Sequence, residues 1–477
     1  GSRRNYTDFK RYTYYVSPQQ TNKTFIQQIT KANFARLDSI LEAFNVEPII
    51  REFYIQLQHW YFWALDNVQF PKDAEEEPHG REIAVIRLIT RIMFIWFMRV
   101  RGLIPDELFD KKEIGELLLD TSPDGFTYYQ AILQNLFFAT LNTPQNDRKF
   151  RDNKRFGKGY NSDFGNHNVY RYYDLIKNAD LLESVFRNIP FLNGGLFECL
   201  DYKSKEKEER KYIDGFTSTK SQQPGVPNFL FFSESENADL SQFLNGQNNH
   251  YEVQGLIHLL NNYNFTIDEN DPDDVEVALD PELLGSIFEN LLASYNPETA
   301  TSARKATGSF YTPPEVVNFM TIESLKAYFK ENLNAVHITN PDTKLHNLLT
   351  VNNAENPFDE DVSRKIITLI NDLRIVDPAV GSGAFPMTIL SLELAISDPV
   401  LRRALIAGVQ KRFEEKNADY GRKLYLIEKC IYGVDIQQIA VEIAKLRFFI
   451  SLLVDETIDF DHPENNYGIE TLPNLDF

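Results

Sequence analysis

Cysteine is nearly absent from this chain: 477 residues contain only Cys199 and Cys430. The two lie far apart with no CxxC spacing or histidine-rich neighbour, so no zinc site is expected, and the scarcity fits a reducing, cytoplasmic compartment. Long apolar runs are missing as well. The most apolar stretch, Ile92 to Met98, is too short to span a bilayer and is flanked by Arg87, Arg91 and Arg99. No secretory signal is visible at the N-terminus, where Gly1-Ser2 reads as a cloning scar. Positive charge is in deficit, with 49 Lys and Arg against 69 Asp and Glu and a net charge of −20. That balance weighs against a nucleic-acid partner without excluding one, because binding follows the local patch rather than the average potential.

What is present is ordinary for a globular protein: 43% hydrophobic and 25% charged residues, in a chain long enough for two or three domains. Residues 1–295 read as a mainly α-helical N-terminal domain. Glu52 to Leu65 and Arg81 to Arg101 carry apolar residues at helical spacing, the second stopping at Gly102 with Pro105 beyond. Phe53, Trp60, Trp63, Trp96 and Phe97 fall on those helices and read as core, in preference to a base-stacking platform. The polar stretch 296–308 reads as a hinge, and 309–477 as the start of an α/β domain.

Three charged segments call for separate treatment. Residues 141–173 look like a long loop in which Arg148, Lys149, Arg151, Lys154, Arg155 and Lys158 alternate with Phe150, Phe156 and Tyr160. Such a run can contact phosphates and stack on bases; equally, it can be a solvated loop that offsets nearby acid. Glu209-Arg210-Lys211 matches the ExK fragment of metal-dependent nucleases, but no strand-borne Asp precedes it, so a surface turn is the better reading. The acids from Asp268 to Glu282 lack the spacing of a calcium loop and read as an exposed linker before a helix over Pro281 to Leu292.

Chemistry concentrates after the hinge. Asp377-Pro-Ala-Val-Gly-Ser-Gly-Ala-Phe385 lies between an apolar strand and an apolar helix start. Its glycines let backbone approach a ligand, and the helix N-terminus offers unpaired N–H groups. A phosphate loop does not place a carboxylate against its anion, whereas Asp377 suits a cationic ammonium or sulfonium and ribose hydroxyls. Upstream, Thr312 sits where an N-cap belongs, Pro313 at the first helical position and Glu315 three residues after the cap. Downstream, Ile431 to Ile436 is an apolar strand ending in Asp435, with a helix expected over Gln438 to Leu453. An acid ending the second strand of a nucleotide-binding fold holds ribose hydroxyls; alternatively Asp435 caps the next helix. It lies much farther from Asp377 than the usual twenty or so residues, and Asp398 to Lys423 reads as a helical, charged insertion between them.

Together, Gly308 to Met320, Asp377 to Phe385 and Tyr432 to Asp455 resemble motifs X, I and II, in that order, of gamma-class adenine-N6 DNA methyltransferases. The nearest resemblance is to the fused type IIG restriction–modification polypeptides. Pro190 to Phe197 and Leu284 to Glu289 resemble the helical region that precedes the methylase there. The resemblance implies a Rossmann-like domain binding S-adenosylmethionine, with duplex DNA as partner and nuclease and target-recognition parts elsewhere. By position, Tyr311, Thr312 and Pro313 would line the methionine end of the cofactor. Asp377, Ala379, Gly381 and Gly383 would form the turn beneath its amino acid moiety and ribose. Asp435 would take the ribose hydroxyls, with Ile436 against adenine; separately from the resemblance, the basic run offers Arg148, Lys149, Arg151, Lys154 and Arg155 as its DNA contacts. The family's catalytic Asn/Asp-Pro-Pro-Tyr/Phe is missing; Asn296-Pro297, Asn340-Pro341 and Asn356-Pro357 lack the second proline. The chain is therefore expected to be an inactive fragment with an incomplete sheet, a connector plus the cofactor-binding start of the methylase. A methyltransferase acting on a substrate other than DNA, or a helical docking module without activity, are the competing readings.

Overall fold

The structure is a computed structural model. It describes residues 47–150, 167–192, 195–203, 209–244, 250–263, 265–266, 277–278, 312, 314–333, 338–350, 357–394 and 418–470, with a few more between 29 and 39. The principal helices are α1 (Glu47–Asn67), α2 (Gly80–Val100), α3 (Ala179–Arg187), α4 (Pro314–Asn332), α5 (Pro341–Thr350), α6 (Glu360–Asp372), α7 (Ala384–Leu394), α8 (Ala418–Lys429) and α9 (Gln438–Asp455). Among the described residues, four two-stranded sheets interrupt them: β1 (Tyr202–Lys203) with β2 (Arg210–Lys211), β3 (Glu236–Asp239) with β4 (His250–Val253), β5 (Phe265–Thr266) with β6 (Val277–Ala278), and β7 (Ile375–Asp377) with β8 (Ile431–Gly433). The first two pairs are antiparallel and the last two parallel. No helix among the described residues is long and apolar enough to cross a membrane.

Contacts divide the chain into two units that do not follow its order. One unit joins the segment up to Asn67 to residues 122–124 and 227–279. Its core forms around α1: Trp60 is fully buried and donates its indole N–H to the Leu230 carbonyl at 2.7 Å. Phe62 stacks on Phe243 at 4.9 Å, and Phe53 meets Tyr263 edge-on at 5.1 Å. Aromatic pairs of this kind add to plain area burial, which explains why a helix so rich in rings is held by segments distant in sequence.

The other unit contains residues 68–121, 125–226 and 280–477. Helix α2 is buried along most of its length, from Ala84 to Met98. It ends as its glycine requires. Gly102 adopts a φ of +73°, its N–H donates to Arg99 O at 2.8 Å, and the Leu103 N–H reaches Met98 O at 2.9 Å. These are the paired bonds of a Schellman cap.

Beside α2 runs a π-helix, Tyr128–Thr140, buried throughout. Its polar side chains bond to distant backbone: Gln130 to Pro224 O, Gln134 to Asp214 O and Asn135 to Arg171 O. The Leu141 N–H donates to Leu136 O, the wider i to i−5 repeat of the backbone.

Helix α2 also packs on α9. Arg87 Nε and Nη2 grip the Glu442 carboxylate at 3.0 and 3.3 Å, with both side chains largely buried. Phe191, in the Pro190 to Phe197 segment, exchanges two hydrogen bonds with Asn466, which holds the chain after α9. Part of the expected connector, residues 68–121 and 125–226, thus shares one packed unit with the expected methylase start, and the rest of it belongs to the other unit. The hinge at 296–308, the helix over Pro281 to Leu292 and most of the acidic linker lie outside the described residues.

The α/β part of this unit is compactly ordered around β7 and β8. They pair in register, Ile375 with Ile431, Val376 with Tyr432 and Asp377 with Gly433. Leu325 and Phe329 of α4, Leu345 and Leu349 of α5, and Ile366 and Ile370 of α6 share one apolar cluster with Leu373. Helix α4 packs on α7, so the segment that opens at Thr312 is carried alongside the helix that follows the glycine turn.

Candidate cofactor site

Both strand ends deliver a carboxylate to the same turn. Asp377 closes β7, and its Oδ1 accepts the Ala379 N–H at 3.1 Å, an Asx-type turn that starts the loop. Its Oδ2 is buried, with no hydrogen-bond partner among the described residues. Burial pushes the Asp377 carboxyl above the ordinary range; the Ala379 N–H opposes that shift and the Asp435 charge adds to it. A buried carboxylate oxygen lacking a partner costs free energy, which a donor or cation supplied by a ligand would offset.

The loop then turns twice through left-handed backbone. Gly381 has φ +53° and Gly383 φ +88°, conformations that side chains other than glycine rarely adopt. They serve different ends. A Cβ on Gly381 would meet nothing within 4 Å, so open space lies above it, whereas a Cβ on Gly383 would stand 3.2 Å from the Ala444 Cβ. Gly381 therefore leaves room for a ligand, and Gly383 lets the loop lie close against α9.

Asp435, just past β8, fixes this turn from the other strand. Its Oδ2 accepts the Gly381 N–H at 2.9 Å and its Oδ1 accepts the Gln437 N–H at 2.8 Å, next to the start of α9. It thus braces the glycine turn, while the helix-capping alternative is not realised: the N-cap of α9 is Gln437, and no side chain caps it. The Val380 N–H to Val434 O bond at 3.0 Å joins the same two segments. Ile436 is 94% exposed and Val434 58%, an uncovered apolar edge beside the two acids. Thr312 is half-buried and Ala379 exposed, while Tyr311 and Pro313 lie outside the described residues.

Of the expected DNA-contacting cations, one is engaged by the fold itself. Arg148 points inward. Its Nη1 donates to Phe186 O, Arg187 O and Ile189 O at 2.9, 3.3 and 2.7 Å, and its Nε to Thr143 O. Burial lowers its pKa to about 10. The guanidinium caps the C-terminal carbonyls of α3, where the helix dipole favours a cation, and is not presented to a phosphate. Arg148→Met is expected to cost about 1–3 kcal/mol of stability, since several partly buried carbonyls lose a charged donor; an unchanged unfolding midpoint in denaturant would refute the capping role. Lys149 is exposed, and Arg151, Lys154 and Arg155 lie outside the described residues.

Sequence reasoning missed one grouping. His167, Cys199 and Asp201 bring ligand-type atoms within 4.8 Å of one another. Their surroundings oppose a metal: both Asp201 oxygens are engaged by the backbone N–H groups of Ile213, Asp214, Gly215 and Phe216. Burial raises the Cys199 thiol well above its ordinary range, so the thiolate that a metal would need is disfavoured. Asp201 is thus the anchor of a tight turn. No spacing in the sequence signals it. The ExK triplet proves to be part of the β1–β2 hairpin, with Lys211 paired to Asp73 at 3.0 Å.

The site is thus a parallel strand pair whose ends present two acids across a glycine turn. Among known proteins, the chain is similar to one from Methanocaldococcus jannaschii that carries the provisional name type II restriction enzyme and methyltransferase, at 28% identity over 83% of this chain. The aligned part is 27% of that protein's length, so the chain spans about a quarter of the relative it matches. No family model and no solved structure matches the chain.

Proposed function

We propose that this chain is the helical connector and cofactor-binding start of an adenine-N6 DNA methyltransferase of the gamma class, within a fused restriction–modification protein. On this reading β7, the glycine turn and β8 begin a Rossmann-like sheet that binds S-adenosylmethionine, and duplex DNA is the substrate of the whole protein. The observation that carries the proposal is the pairing of Asp377 and Asp435 about Gly381: among the described residues, one buried carboxylate oxygen without a partner, one carboxylate bracing the turn, and open space above the glycine. When bound, S-adenosylmethionine would supply the activated methyl group. The residues present fit that group: Asp377 would face its positive charge or a ribose hydroxyl, Asp435 would accept ribose hydroxyls on its remaining lone pairs, and Ile436 would lie against the adenine. Similarity to a protein named as restriction enzyme and methyltransferase supports the same direction.

Calorimetric titration of the chain with S-adenosylmethionine tests the proposal. Binding is expected for the wild type, weakened about tenfold or more in Asp377→Ala, because loss of a charged hydrogen-bonding partner is worth roughly 1.5–3 kcal/mol. Equal affinity in both proteins would overturn the assignment. The pH dependence has a definite sign. The free Asp377 carboxyl titrates above its ordinary value, and a cationic ligand favours the carboxylate. Binding should therefore strengthen as pH rises through that raised pKa, release a proton within that window, and lose its pH dependence in Asp377→Ala.

A further inference from the structure

We infer that Arg447 is a positioning residue for the glycine loop, and that the ion pair between Arg87 and Glu442 sets where Arg447 stands. Arg447 lies on α9, is buried, and donates from Nη1 to the Ser382 carbonyl at 2.8 Å and to the Ser382 Oγ at 3.4 Å. Ser382 is itself buried and stands between the two glycines of positive φ. A guanidinium on a carbonyl is a charge-assisted bond, stronger than a neutral one, and here it is made inside the loop rather than at its ends. One turn earlier on the same helix face, Ala444 supports Gly383. The loop thus rests on α9 at two points and is braced from the side by Asp435.

Helix α9 is in turn held by α2. Glu442 accepts both arms of Arg87 in a largely buried, two-pronged geometry that tolerates little sliding. A helix advances about 1.5 Å per residue, and a hydrogen bond near 2.8 Å is lost on a shift of that size. Moving α9 along α2 by one residue would therefore separate Arg447 from Ser382. A region far upstream in sequence in this way determines whether the cofactor loop keeps the shape its ligand needs. The inference rests on the reading of this loop as an S-adenosylmethionine site for its affinity consequence, and on geometry alone for its effect on the loop.

Two measurements on the full chain separate these. Without ligand, hydrogen exchange at the Gly381 and Gly383 amides reports loop order, and it is expected to accelerate about tenfold in Arg447→Met, the order of effect of losing one such bond. Arg447→Lys, which keeps the charge and one donor, should give a smaller acceleration and serves if the Met variant fails to fold. With ligand, calorimetry should show affinity for S-adenosylmethionine about tenfold weaker in Arg447→Met. It should also be weaker in Arg87→Glu, and regained when Glu442→Arg is added to the latter. Unchanged loop exchange in the Arg447 variants would overturn the inference whether or not the ligand binds. Failure of the reversed pair to restore loop protection would overturn the part played by Arg87. A wild type that does not bind S-adenosylmethionine, in a protein whose loop exchange still responds to Arg447, would sink the cofactor reading and leave the positioning role standing.

Discussion

Asp435→Ala is expected to reduce affinity for S-adenosylmethionine about a hundredfold or more, the largest loss of any single change in the loop. Two causes add. The side chain is the acceptor proposed for ribose hydroxyls, and it also holds the Gly381 N–H at 2.9 Å and the Gln437 N–H at 2.8 Å. Each bond to a charged group contributes about 1.5–3 kcal/mol, and 1.36 kcal/mol is a factor of ten. Alanine removes ligand acceptor and loop brace at once, whereas Asp435→Asn keeps one acceptor oxygen and should retain part of the affinity. Calorimetry on both variants, with unfolding midpoints to establish that α9 still packs, reads the effect directly. Affinity within a factor of two of wild type in Asp435→Ala would remove Asp435 from the site.

The loop was legible in the sequence because its constraints are local. Positive φ demands glycine at 381 and 383, a strand ends in an acid, and a helix begins within a few residues; all three leave marks on neighbouring positions. The same holds for the end of α2, where Gly102 and Pro105 mark the Schellman cap. Arg148 shows where this stops. In sequence it is one cation among several in an aromatic loop, and nothing nearby reveals that the carbonyls from Phe186 to Ile189 enclose it. The π-helix is illegible for a related reason: Tyr128 to Thr140 is buried on all sides, and its Gln130, Gln134 and Asn135 find their acceptors at Pro224, Asp214 and Arg171, far along the chain. The discontinuous unit around α1 also depends on pairings such as Trp60 with Leu230, which no periodicity encodes. Local backbone demands can be read from neighbours; partnerships across a hundred residues or so are decided by packing.

One such partnership carries the largest expected effect on stability. Arg91 Nη1 meets Asp214 Oδ1 at 2.8 Å with side chains only 4% and 6% exposed, and Arg91 Nη2 also donates to Glu198 O. Asp214 Oδ2 accepts the Leu200 N–H, and the guanidinium lies 4.9 Å from the centre of the Phe138 ring. Arg91→Met is expected to cost on the order of 3–5 kcal/mol, chiefly because a carboxylate is left buried without its cation. Arg91→Met combined with Asp214→Asn should be less destabilised than Arg91→Met alone, since the stranded charge is gone. Acid titration gives an independent signature. Burial raises the Asp214 pKa, but Arg91 and then Arg87 more than reverse this and hold it below the ordinary 3.8. A depressed carboxylate contributes stability that is present above its unfolded pKa and lost as pH falls through its folded one, so the wild type should lose this contribution only below about pH 4. Without Arg91, burial dominates and the carboxyl titrates higher, so the variant gains stability as pH falls from neutral and the gap to wild type narrows. Unfolding midpoints at pH 7 and pH 5 test this: a gap that stays constant between them would mean that Asp214 bears no stranded charge and that the cost of Arg91→Met comes from lost packing on Phe137 and Phe138.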